Sequence, residues 1–116
     1  MITVAFDELE SLVGTPLGAT EWMDITQARI DTFAEATDDP QWIHVDPERA
    51  KDGPFGTTIA HGYLTLSLIV PLFTGLLDVD GVTTKLNYGL NKVRFPSPVK
   101  VDSRIRLVAS ITDVKA

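Results

Sequence analysis

Gly62-Tyr63-Leu64-Thr65-Leu66-Ser67-Leu68-Ile69-Val70-Pro71-Leu72-Phe73-Thr74-Gly75-Leu76-Leu77 is the stretch that decides the fold. Its apolar residues, Leu64, Leu66, Leu68, Ile69, Val70, Leu72, Phe73, Leu76 and Leu77, fall on every side of a helix. A helix apolar all round has to be enclosed, either by protein or by lipid. Lipid is excluded by length, because residues 63–77 fall short of the ~20 a bilayer requires, and Pro71 and Gly75 interrupt them. The stretch is expected to be a core helix that other parts of the chain wrap.

Working outward, residues 83–88, 91–95 and 101–111 read as strands, the last alternating through Arg104, Ile105, Arg106 and Leu107. Residues 18–25 read as a strand before the helix. One helix with strands on either side of it in sequence predicts an α+β domain. At 116 residues and 44% apolar content the chain makes one domain, 1–116, with one core. No repeat, linker or low-complexity tract divides it.

Composition removes several functions. The formal charge is −6, and the ten basic residues are scattered, so a nucleic-acid partner lacks its electrostatic footprint. The absence of cysteine excludes disulfides, thiolate nucleophiles and zinc–thiolate sites, and two histidines far apart in sequence make a weak metal set. The start, Met1-Ile2-Thr3-Val4-Ala5-Phe6-Asp7-Glu8, has neither a basic lead nor an apolar run, so a cytoplasmic location with no membrane association is the default expectation.

The segment before the core helix carries the chemistry. Thr26 is placed as an N-cap, with Ile25 and Ile30 as the two residues of a hydrophobic staple, and this helix should run to about Thr37. Asp38 and Asp39 before Pro40 end it, since a residue preceding proline is pushed out of the α region. Asp46 and Pro47 then start a new helix. Residues 39–44 are therefore expected as a loop, with Asp39 five positions before His44. A carboxylate and an imidazole that reach one water make a base and an orienting partner. The free N–H groups at Gly62, the head of the core helix, suit a developing oxyanion. Together they suggest addition or removal of water beside a carbonyl. Each residue also has a plainer role: Asp39 as a cap, His44 as a buried hydrogen-bonded histidine, Gly62 as a helix-start glycine. His61 is expected to be structural, satisfying local backbone groups.

Three blocks carry a resemblance: Asp39-Pro40-Gln41-Trp42-Ile43-His44-Val45-Asp46, Gly53-Pro54-Phe55-Gly56-Thr57-Thr58-Ile59-Ala60-His61-Gly62, and Asn87-Tyr88-Gly89-Leu90-Asn91-Lys92-Val93-Arg94-Phe95-Pro96-Ser97-Pro98-Val99. In this order and spacing the chain resembles the MaoC-like (R)-specific enoyl-CoA hydratase family, particularly its actinobacterial single-domain 3-hydroxyacyl-thioester dehydratases. The resemblance implies a hot-dog fold, an antiparallel sheet wrapped around one central helix. It also implies reversible hydration of trans-2-enoyl thioesters of coenzyme A or acyl carrier protein. Asp39 and His44 would bind the catalytic water and the Gly62 N–H would hold the thioester oxygen, with no metal or cofactor. Arg94 and Lys92 would attract the carrier's phosphates or simply be solvated. Tyr63, Asn87 and Asn91 would line the acyl tunnel or hold turns.

The chain departs from the family pattern at Gln41-Trp42, where Asn-Pro is usual, and at Val70, where some hydratases carry a serine. Family members also usually continue past the position of Ala116 for two strands. At this length the helix flank is expected to be uncovered, with lower stability and weak activity, unless a neighbouring subunit covers it. A homodimer joined at sheet edges is expected, because an exposed edge invites pairing. Two other readings stay open, a hot-dog acyl thioesterase and a non-catalytic hot-dog subunit.

Overall fold

The computed structural model describes residues 1–115. Along the chain it runs β1 (Ile2–Ala5), a 3-10 helix (Phe6–Leu12), β2 (Pro16–Ala19), β3 (Met23–Asp24), α1 (Gln27–Thr37), α2 (Trp42–Val45), α3 (Pro47–Ala50), α4 (Gly62–Ser67), α5 (Ile69–Thr74), β4 (Leu77–Asp80), β5 (Arg104–Ile105) and β6 (Val108–Ser110). These elements group into two compact units.

One unit comprises Trp22–Leu68 and Arg94–Ile105 and holds the candidate site. Its first helix forms where the sequence places it. The Thr26 hydroxyl accepts from the Arg29 N–H at 3.1 Å, and Ile25 and Ile30 on either side of that cap have no exposed surface. Burying an Ile side chain fully is worth roughly 1.5–3 kcal/mol, so this pair anchors the helix start. At the other end Asp38 adopts a left-handed conformation, φ 56°. The Asp39 N–H reaches the Ala34 carbonyl at 3.0 Å and the Asp38 N–H the Glu35 carbonyl at 3.5 Å, a Schellman closure that satisfies the last carbonyls of α1. Asp46 caps α3 by accepting from the Arg49 N–H at 3.1 Å, with Pro47 at the first helical position. β3 pairs antiparallel with β5. Residues 58–60 run antiparallel to 99–101, through Ala60 N–H to the Val99 carbonyl at 2.8 Å and Val101 N–H to the Thr58 carbonyl at 3.0 Å. That pairing fixes the backbone leading into α4.

The other unit comprises Met1–Glu21, Ile69–Val93 and Arg106–Ala116, described here to residue 115. β1 lies parallel to β4, with Ile2 opposite Leu77 and Val4 opposite Val79. β2 lies antiparallel to β6, with a bulge between Pro16 and Gly18, and Gly18 takes φ 92°, which side-chain-bearing residues avoid. Val4, Leu17, Leu76 and Leu77 form its buried core, with Leu9, Leu12 and Phe73 against them.

The elements differ from the sequence reading in four places. The single helix expected over residues 63–77 is two, α4 and α5. Proline lacks an N–H and crowds the carbonyl four residues earlier, so Pro71 cannot bond Ser67, and α4 ends at Ser67. Gly75 then ends α5, and Leu77 belongs to a strand. Ile69 and Val70 stay exposed, so this segment is not enclosed on every side as its composition implied. The strands expected at 83–88 and 91–95 are coil: a strand needs a ladder partner, and none pairs with them among the described residues. The strand expected at 101–111 is the two short pieces β5 and β6, and the one at 18–25 is β2 and β3. Finally, His44 sits on the one-turn helix α2 rather than in an open loop. Among the described residues no helix is long and apolar enough to cross a membrane.

Candidate active site

Asp39 is held by its backbone on both sides. Its N–H is tied into the closure of α1, and its carbonyl accepts from His61 Nε2 at 3.0 Å. The side chain is left about half exposed, at 51%, with one carboxylate oxygen 3.8 Å from the same His61 nitrogen. It caps no helix: the residue before α2 is Gln41, and no side chain bonds that helix start. The capping role is therefore not the one Asp39 plays.

His44 is buried, and its tautomer follows from its partner. Its Nδ1 lies 2.7 Å from the Ile59 carbonyl oxygen, which can only accept, so Nδ1 carries the proton. Nε2 of the neutral ring is then an acceptor. Burial holds the His44 pKa below the ordinary 6.5; the bond to Ile59 and the Asp39 charge act against that, while His61 adds to it. The backbone is fixed as firmly as the ring. The His44 carbonyl accepts from Gln27 Nε2 at 2.7 Å, and Gln27 Oε1 accepts from the buried Thr58 hydroxyl at 2.5 Å.

Asp39, His44 and His61 each offer a donor atom, all within 4.8 Å of one another. One water fits between two groups at that separation, since two hydrogen bonds of ~2.8 Å span it. The set is a poor cage for a cation. The His44 and His61 rings are stacked at 3.7 Å and 22°, so their in-plane lone pairs run side by side instead of converging on a point.

His44 and Gly62 line a common cavity of about 480 Å³, together with Phe55, Thr65, Arg94 and Phe95. That volume is in the range of small-molecule sites. Gly62 is the first residue of α4, so its N–H has no acceptor within the helix. A side chain there would meet the Phe95 ring at 2.9 Å, which accounts for glycine at this position. With six residues α4 contributes little dipole, and the N–H itself is the useful group.

The other expected substrate residues divide. Arg94 lines the cavity. Tyr63 is 70% exposed and reaches the site only through an edge contact with Phe95, centroids 6.1 Å apart. Asn87, Asn91 and Lys92 lie in exposed coil of the other unit and do not line the cavity. Sequence reasoning missed Gln27, Phe33, Thr58, Thr65 and Phe95 as site residues. Thr65 and Phe95 had a signal, helical spacing from Gly62 and a place in the third motif block. Gln27 had none.

The model of the MaoC-like domain matches residues 8–116. The chain belongs to the MaoC-like dehydratase family. It is 53% identical over 108 residues to 3-hydroxyacyl-thioester dehydratase Z of Mycobacterium tuberculosis, covering 93% of this chain and 72% of that protein. Nodulation protein N of Rhizobium leguminosarum is 50% identical over 108 residues, covering 91% and 67%. Among solved structures, an (R)-hydratase of Pseudomonas aeruginosa in its unliganded form superposes with a TM-score of 0.65 at 26% identity, covering 81% of this chain and 57% of that one. The chain thus spans less than two thirds of that hydratase's length. The fold is the hot-dog of these MaoC-like relatives, as the sequence motifs implied.

Proposed function

We propose that this MaoC-like protein catalyses reversible hydration of trans-2-enoyl thioesters to (R)-3-hydroxyacyl thioesters, on coenzyme A or acyl carrier protein. The observation that carries this reading is the state of His44. With Nδ1 committed to Ile59, its remaining nitrogen is an acceptor; the residue lines a cavity shared with Gly62, and a ring nitrogen of His44 lies within 4.8 Å of an Asp39 carboxylate oxygen. Water held between the two side chains donates one hydrogen to Asp39 and the other to His44 Nε2. As the water oxygen attacks C3, Asp39 takes one water proton, the C2–C3 double bond is lost, and that same proton is passed on to C2, which leaves the Asp39 carboxylate ionised as it began. The thioester oxygen gains enolate character on the way and is met by the Gly62 N–H. Dehydration runs the same steps backwards, and water, thioester and protons balance the reaction with no cofactor. Arg94 at the cavity suits the carrier's phosphates.

The test is incubation with crotonyl-CoA and with 3-hydroxybutyryl-CoA, following enoyl absorbance and thiol release together. Loss or gain of the double bond without thiol release is the expected result. Thiol release would make the protein a thioesterase, and silence on both would make it a non-catalytic subunit.

A further inference from the structure

The proposed chemistry uses one of the chain's two histidines and leaves the other unemployed. His61 is 3% exposed. Its Nε2 lies 3.0 Å from the Asp39 carbonyl, an acceptor, so Nε2 carries the proton; its Nδ1 is buried with no partner among the described residues. The ring stacks on His44 at 3.7 Å and 22°, and Phe33 meets it at a tilt, 4.9 Å and 53°. The next residue in the chain is Gly62. A single imidazole therefore touches the backbone of the proposed base and the ring of its partner, and it is bonded to the residue offered as oxyanion donor. Its hydrogen bond to Asp39 joins positions 22 apart in sequence, which is not the local backbone role that adjacency to a helix start suggests.

We propose that His61 is a positioning residue of the hydration site, setting the distance between Asp39 and the His44 ring by hydrogen-bonding the backbone carbonyl of the first and stacking on the second. The inference rests on the reading of Asp39 and His44 as the water-binding pair. Its physical content is separable into two parts. The tether is a neutral N–H···O=C bond that a side-chain amide can replace. The stack is a ring contact that an amide cannot replace and a phenyl can. The stack also bears on charge: a positive charge on His44 is disfavoured by the neighbouring His61 ring and favoured by the half-exposed Asp39 carboxylate.

Two substitutions separate the parts. His61→Phe keeps the stack and removes the tether; His61→Gln keeps a donor and removes the stack. For His61→Phe, kcat for crotonyl-CoA hydration should fall about ten- to a hundredfold with KM little changed, the size expected when a catalytic group is misplaced by about an ångström. His61→Gln should recover part of that loss, and the His44 titration followed by nitrogen-15 NMR should move to higher pH, because the neighbouring ring is gone. With two histidines in the chain, either variant leaves a single imidazole signal set and assigns both. A kcat loss that tracks only a drop in melting temperature, or an unmoved His44 titration in His61→Gln, would overturn the proposal. Should either variant fail to fold, wild-type spectra decide: Nδ1–H on His61, or two titrations showing no mutual influence, would be incompatible with it. The NMR arm needs no turnover, so a wild-type protein without hydratase activity would sink the functional reading while the placement of His61 is still judged.

Discussion

At Asp39 and His44 the chemistry comes down to which atoms hold protons. Asp39→Asn keeps the side chain's shape and removes its ability to accept one, so crotonyl-CoA hydration should fall ~10²–10⁴-fold while the melting temperature stays close to wild type. His44→Ala should lose a similar factor, and the double variant should be little worse than either single one, because both act on one water. Losses that multiply in steady-state assays would mean that they work apart. His44 also fixes a direction with pH. Its pKa in the fold is lowered by burial, so below the ordinary 6.5 the unfolded chain takes up a proton that the folded chain resists. Stability is then full above that value and declines as pH falls through the folded pKa. Urea midpoints measured between neutral and mildly acidic pH should drop in wild type and drop less in His44→Gln. Hydration should weaken over the same window, since protonated Nε2 no longer accepts from water.

The closure of α1 is the element that aims Asp39. Asp38 sits at φ 56°, a region in which a β-branched side chain is strained. Asp38→Val should therefore cost ~1–2 kcal/mol in urea denaturation and lower kcat, whereas Asp38→Gly should hold both near wild type. The caps at Thr26 and Asp46 and the end of α1 at Thr37 were all legible in sequence, because capping is chemistry between residues a few positions apart. The break between α4 and α5 was legible in principle: Pro71 and Gly75 interrupt the apolar run, yet composition argued for one helix across them. Residues 83–88 and 91–95 were misread as strands because composition marks a segment that could pair without supplying its neighbour. In the site, Asp39 and His44 were legible because they share one short segment. Gln27, which holds the His44 carbonyl from 17 positions away, carries no mark of that role in its own neighbourhood.

Among the described residues the strands form two-stranded pairs: β1 with β4, β2 with β6, β3 with β5. Every strand in such a pair keeps one edge with no strand beside it, and an open edge is a template for pairing with another chain. Apolar surface points the same way. Leu86, Tyr88 and Leu90 are 88%, 106% and 65% exposed in a segment without regular structure. Three large side chains in water cost stability that a partner's surface recovers, roughly 25 cal/mol for each Å² covered. A second copy of the chain is the partner expected, giving a homodimer joined by edge pairing. Light scattering at micromolar concentration should return twice the chain mass. Replacing Leu86 and Tyr88 with lysine, which puts charge on this apolar surface, should shift the population toward the single-chain mass without lowering the melting temperature of the monomer. A monodisperse monomer in wild type, unchanged by those replacements, would show that the exposed segment is tolerated by a chain that stands alone.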